Sequence, residues 1–217
     1  MTNANLATKV ASADIVREYG PFPGVDAVHG VSHDGRLAWI ATGDALKGLD
    51  LDSGLIVRSL DMTANAGTAF DGRFLFQLAD GRIQKIDPES GAVLATISAP
   101  EGGHNSGLAW AEGSLWIAQY EQKRIHRIDP DTGAVQRTLN CSRYVTGVTW
   151  ANGALWHGTW EDDSSDLRRI DPRSGAVLET IAMPSGTGVS GLEFDGEKRF
   201  ICGGGKSGKI RTVRAGA

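Results

Sequence analysis

The 217-residue chain repeats itself, and the repeat limits what it can fold into. Four segments align by their landmarks: "HGVSHDGRLAWIATGDALKGLDLDSGLIVRSL" from His29, "AGTAFDGRFLFQLADGRIQKIDPESGAVLATI" from Ala66, "SGLAWAEGSLWIAQYEQKRIHRIDPDTGAVQRTL" from Ser106 and "TGVTWANGALWHGTWEDDSSDLRRIDPRSGAVLETI" from Thr146. A fifth, "SGLEFDGEKRFICGGGKSGKIRTV", begins at Ser190 and stops early. The anchoring glycines Gly30, Gly67, Gly107, Gly147 and Gly191 are 37, 40, 40 and 44 residues apart.

Each repeat holds four short apolar runs, which in the third are "SGLAW", "LWIAQY", "IHRID" and "AVQRTL". Aromatic and β-branched residues fill the runs, and turn chemistry separates them. "DG", "EG" and "NG" mark the first hairpin of a repeat; "DPESG", "DPDTG" and "DPRSG" mark the third. No segment carries a long helical period. A period near 40 with four strands is one propeller blade, so the expectation is an all-β, five-bladed β-propeller of four-stranded antiparallel blades in one domain, residues 1–217. The fifth repeat lacks its outer strand. "SADIVREYGPFP" from Ser12 lines up with "SGAVLETIAMP" from Ser174, so residues near Ile15 to Tyr19 are expected to close the ring. An unclosed ring would leave two strand edges open to aggregation.

Composition narrows the partners. A formal net charge of −4 gives no broad basic field, which argues against nucleic acid. Hydrophobic residues at 41% and charged residues at 22% suit a soluble domain, and no run is long enough for a membrane span. Two cysteines, Cys141 and Cys202, make no disulfide framework, and no apolar run of signal-peptide length opens the chain, so a cytoplasmic protein with free thiols is expected.

"CGGGKSGKIR", residues 202–211, tests the nucleotide question, because Gly203 and Gly208-Lys209 have the spacing of a phosphate loop. Such a loop joins a strand to a helix and follows its lysine with Ser or Thr. Here Ile210 follows Lys209, and the stretch aligns with "FLFQLADGRIQKID" as strand, hairpin and strand. The reading is a glycine-rich hairpin, with no nucleotide cofactor.

Because strands alternate in direction, the uniform "DG" and "DPxSG" turns share one face and the variable hairpins and inter-blade linkers share the other. Variable loops on a rigid scaffold are where a site is expected, at the mouth of the channel. Within a repeat, residues that break a column mark candidates. The innermost column reads Ser32, Ala69, Ala109, Thr149 and then Glu193, a candidate general base or a paired carboxylate. The second-strand column reads Ile40, Gln77, Ile117, His157, Cys202; in neighbouring blades His157 could activate the thiol, or both are core residues. The linkers bring His29, His104, Asn105 and Tyr144 toward the mouth, and His29, His104 and His157, with Glu193 as a fourth ligand, are candidate ligands of one divalent metal ion. Tyr120 and Trp160 align and would give the pocket aromatic surface. Glu161 sits on the longest hairpin as an acidic tip, and Lys206 would hold a substrate carboxylate.

"SGLAWAEGSLWIAQYEQKRIHRIDPDTGAV" and "LWHGTW" with "LRRIDPRSGAV" resemble the blades of bacterial proteins grouped with the plant-type glutamine cyclotransferases, which are five-bladed propellers. The blade pattern is also similar to that of streptogramin lyases, seven-bladed enzymes that use a metal and a histidine base. The resemblance implies a small-molecule or peptide-end site at the channel mouth, with Glu193 at a place comparable to one of the glutamates of the plant-type enzymes. Two functions follow. One is an enzyme of non-redox acid/base chemistry: cyclotransferase-, lyase- or lactonase-like, metal-assisted if the histidines converge, with Glu193, His157 or Cys202 as the reacting groups. The other is a propeller that binds a ligand or protein partner without chemistry.

Overall fold

A computed structural model describes residues 9–215. The chain enters through two short strands, β1 (Lys9–Ser12) and β2 (Ile15–Tyr19). Four antiparallel blades follow. Blade one is β3 (Gly30–His33), β4 (Ala38–Ala41), β5 (Gly43–Leu49) and β6 (Ile56–Ala64). Blade two is β7 (Thr68–Phe70), β8 (Leu75–Ala79), β9 (Arg82–Ile86) and β10 (Val93–Ser98). Blade three is β11 (Asn105–Ala111), β12 (Ser114–Gln119), β13 (Arg124–Ile128) and β14 (Val135–Asn140). Blade four is β15 (Val145–Ala151), β16 (Ala154–Thr159), β17 (Asp166–Ile170) and β18 (Val177–Ala182). Blade five has three strands of its own, β19 (Leu192–Phe194), β20 (Arg199–Gly203) and β21 (Ile210–Arg214). Its fourth is β2, with Tyr19 opposite Ile210. The fold is the expected five-bladed propeller, closed by the expected residues. One strand adds to the expectation: β1 pairs parallel with β18 and covers the outer edge of blade four.

Turn chemistry sets each blade's register. In the "DPESG" class, Asp50, Asp87, Asp129 and Asp171 each accept two backbone N–H bonds at 2.8–3.0 Å from residues two and three positions on. These bonds hold the carboxylates of all four below their ordinary pKa.

The core is divided among the five blade interfaces. Trp39, Phe76, Trp116, Trp156 and Ile201 share one register position and each points toward the next blade. Side chains of this size contribute on the order of 1.5–3 kcal/mol each when fully buried. The aromatic residue at the end of the next inner strand meets them. Trp110 stacks on Phe76 with centroids 5.6 Å apart, and Trp150 on Trp116 at 6.3 Å.

The five anchoring glycines form a closed ring about the axis. A Cβ on Gly30, Gly67, Gly107, Gly147 or Gly191 would come within 3.0 Å of the backbone of the next inner strand, and Gly191 completes the circuit against Gly30. At this level backbone meets backbone from blade to blade, which no side chain would permit. The ring separates the inner strands into a mouth end, where the linkers enter, and a far end, toward the Asp-Gly hairpins.

Candidate functional site

The mouth carries a cavity of about 490 Å³ between blades four and five. Its walls come from the variable face. Tyr120 lies after β12 and Trp160 after β16. Thr146 is the second residue of β15, Val189 and Ser190 belong to the linker before β19, and Gly204 to Ser207 form the β20–β21 hairpin with Arg211 behind it. Trp160 packs against Gly188, whose hypothetical Cβ would sit 3.6 Å from the indole. Tyr120 donates to the Trp160 carbonyl at 3.2 Å and stacks on Tyr144 at 5.0 Å, so the aromatic wall is braced from behind. Burial raises the Tyr120 hydroxyl above its ordinary pKa of 10.

The polar part of the cavity is unusual for a packed scaffold. Thr146 is buried at 7% exposure, and its Oγ1 has no hydrogen-bond partner. Its column mates behave differently: Ser106 Oγ donates to the Val145 carbonyl of the next blade at 2.8 Å, and Ser190 Oγ to that of Val28 at 2.5 Å. A buried unpaired hydroxyl costs roughly 1–3 kcal/mol unless something fills the bond. A hollow of about 510 Å³ lies between the outer strand of blade one, at Met62 and Thr63, and blade two, at Arg82 and Gln84, and none of the residues lining it carries a buried unpaired polar group.

Of the residues expected at the site, Tyr120, Trp160 and Lys206 line this cavity. Tyr144 stands behind Tyr120, under the Lys123 ammonium at 4.2 Å from its ring. Glu161 is a brace: it pairs with Lys123 at 2.7 Å and Arg143 at 3.2 Å, which hold its carboxyl below the ordinary range. Asn105 is tied to the Pro100 carbonyl at 3.1 Å and to Gln119 at 3.2 Å. His104 is an exposed rim residue paired with Glu121 at 2.9 Å. His29 is half-buried, and burial lowers its pKa.

Glu193 lies two residues past Gly191, beyond the glycine ring, and does not line the mouth cavity. It accepts from Thr149 Oγ1 at 2.5 Å and from the Phe194 amide at 2.8 Å, and the His33 amide also bonds it. Burial outweighs these bonds and raises its carboxyl to about 7.

The expected partnership of His157 and Cys202 is corrected by the structure. Residues in one column of neighbouring blades point the same way around the ring, so the two never face each other. Cys202 packs toward blade four among Trp156, Leu192 and Phe200. His157 alternates with Trp156 and so shares a face with Leu155, which packs toward blade three. The sheet of blade four stands between them. Burial drives the imidazole down to about 4 and the thiol up to about 12, so neither is charged near neutrality. The metal centre expected from His29, His104 and His157 is likewise not assembled: one ring is in the core and another on the outer rim. Among the described residues no three His, Cys, Asp or Glu side chains gather as metal ligands.

Arg211 was not legible as a site residue. It shares a column with Lys47, Gln84, His126 and Arg168, all polar, so nothing set it apart. The glycine-rich hairpin is the expected strand connection, and its amides are largely spent internally. Gly204 N donates to Lys209 O, Ser207 N to Gly204 O, Gly208 N to Gly205 O, and Gly205 N to Ser190 Oγ.

A closed five-bladed propeller with one apolar-walled cavity at its mouth defines the class. Within it, the chain belongs to the family described as a repeat of unknown function (DUF6923), whose model matches residues 27–146, more than half of the chain. No curated protein matches the sequence. Among solved structures, the fold is similar to that of the Myxococcus xanthus glutaminyl cyclase, at 20% identity and a TM-score of 0.79, covering 95% of this chain and 97% of that one. Weaker likenesses are to a chain of a mitotic checkpoint complex and to the Kuenenia stuttgartiensis hydrazine synthase. The first has 15% identity, a TM-score of 0.55 and covers 88% and 75% of the two chains. The second has 18% identity, a TM-score of 0.53 and covers 82% and 56%. The resemblance to the glutamine cyclotransferase-type propellers therefore holds at the level of fold.

Proposed function

We propose that this protein holds a small organic molecule in the cavity between blades four and five. The observation that carries the reading is the unpaired, buried Thr146 hydroxyl in a cavity walled by Tyr120 and Trp160. An aromatic wall with a few convergent polar groups is the usual composition of a small-molecule site. The titratable groups lining the cavity are Tyr120, Lys206 and Arg211; no carboxylate and no imidazole is among them. Binding is thus the function the cavity supports best.

A second reading is catalysis of the cyclotransferase, lyase or lactonase type on a small or peptide-end substrate. Glu193 favours it, because a carboxyl near 7 is suited to moving a proton, and so does the likeness in fold to a glutaminyl cyclase. The position of Glu193 beyond the glycine ring weighs against it.

Incubating the protein with glutaminyl peptides, and following binding by calorimetry and ammonia release in parallel, tests both. Ammonia release that Glu193→Gln abolishes establishes the catalytic reading. Binding without turnover, lost in Trp160→Ala, leaves the binding reading. Any ligand retained through purification, seen by native mass spectrometry and lost in the same variant, supports the cavity as its place.

A further inference from the structure

Arg168 and Arg211 hold the same register position in blades four and five, opposite His157 and Cys202. Arg168 is saturated: Nε and Nη2 grip Asp166 at 2.8 and 3.0 Å, and Nη1 donates to Ser142 at 2.8 Å. In blade five the place of Asp166 is taken by Lys209. Arg211 is therefore held by one edge only, Nε to Glu18 of the closing strand at 2.6 Å, while Lys209 takes the other oxygen of Glu18 at 3.2 Å. Nη1 and Nη2 of Arg211 have no hydrogen-bond partner among the described residues, although the side chain is only 10% exposed and lines the mouth cavity. Gly204 makes room for them; a Cβ there would fall 2.8 Å from Nη1. Lys206 is an exposed cation on the same cavity and pairs with no carboxylate among the described residues.

We propose that the cavity takes an organic carboxylate with an apolar or aromatic body, its two oxygens on Nη1 and Nη2 of Arg211. The inference rests on the reading of this cavity as the ligand site and deepens it. A planar guanidinium with two free donors matches a carboxylate in a bidentate pair. The Thr146 hydroxyl supplies a second polar anchor, and Tyr120 and Trp160 take the body. A phosphate is the poorer match, because the hairpin amides that would cradle its further oxygens are already bonded within the loop.

The test is a binding screen by ligand-observed NMR and calorimetry. Its probes are a panel of aromatic carboxylates, the corresponding neutral amides, and inorganic phosphate. Carboxylates binding in preference to their amides, with affinity falling about tenfold or more in Arg211→Gln and less in Lys206→Ala, is the expected result. Thr146→Val, nearly the same shape, should weaken the same ligands and serves if the arginine variant fails to fold. Amides and carboxylates binding equally, both lost in Trp160→Ala, would overturn the carboxylate and leave the cavity. Phosphate binding more tightly than any carboxylate would also overturn it. No binding by either organic series would remove the cavity reading itself.

Discussion

Thr149 hands a 2.5 Å hydrogen bond across the boundary between blades four and five to Glu193, whose carboxyl is nonetheless raised to about 7. The ordinary value is 4.5, so between these limits the folded protein binds a proton that the unfolded chain releases. Stability from this group is then complete below about pH 4.5 and is lost as pH rises through about 7, by at most on the order of 3 kcal/mol, because Glu193 keeps some contact with solvent. Urea midpoints of wild type and Glu193→Gln should accordingly converge in mild acid and separate at alkaline pH, with the variant the more stable there. A pH-independent difference between the two would show that the carboxyl is not perturbed.

The glycine ring makes a sharper demand. Alanine at Gly147 would drive a Cβ into the backbone of Gly191 and Leu192, and neither can rotate away. A loss of about 3 kcal/mol or more is expected, enough to leave the protein insoluble or molten. Gly153→Ala is the control: its φ of +73° strains alanine, but no atom stands within 4 Å, so about 1–2 kcal/mol is expected. Equal losses by chemical denaturation would deny the ring its special role.

The blade count, the hairpin turns and the closure by Ile15 to Tyr19 were all readable because they follow from period and local turn chemistry, which the chain states explicitly. The aromatic wall was readable too, since Tyr120 and Trp160 stand out on variable hairpins. What columns do not carry is direction around the ring. His157 and Cys202 share a column and a neighbourhood, yet strand alternation turns both the same way and puts a sheet between them. Arg211 was hidden for a related reason. Its interest lies in a bond it lacks, and that depends on Lys209 replacing an aspartate two residues earlier and on Glu18 arriving from the other end of the chain. Sequence position alone does not show either.

Ring closure predicts an asymmetry between the two entering strands. Removing residues 1–12 deletes β1, a short parallel addition to blade four with its Lys9–Glu179 pair at 3.4 Å. All five blades keep their four strands, so a folded protein weakened by about 1–2 kcal/mol is expected. Removing residues 1–20 also deletes β2. That strips Tyr19, buried at 5% exposure and bonded to the Leu51 carbonyl at 2.8 Å, and bares the edge of β21. The expected result is aggregation or loss of the β-sheet circular dichroism signal. A monodisperse, folded product on size exclusion would show that the propeller tolerates an open blade.

Thiol chemistry separates a packed cysteine from an activated one. Cys202 is 1% exposed, and burial pushes its thiol to about 12, while Cys141 is half-buried and pushed to about 11. At about pH 8 only about one Cys202 in ten thousand would be thiolate, and the attacking species is the thiolate. Iodoacetamide should therefore leave Cys202 unmodified in the native protein and label Cys141 slowly, with both labelled at once in urea, as read by mass spectrometry of the digested chain. Replacing His157 with Gln should not change the native labelling of Cys202, because blade four's sheet separates the two side chains. Rapid native alkylation of Cys202 that disappears with His157 would mean the imidazole does reach the sulfur, and the facing assigned to both strands would be wrong.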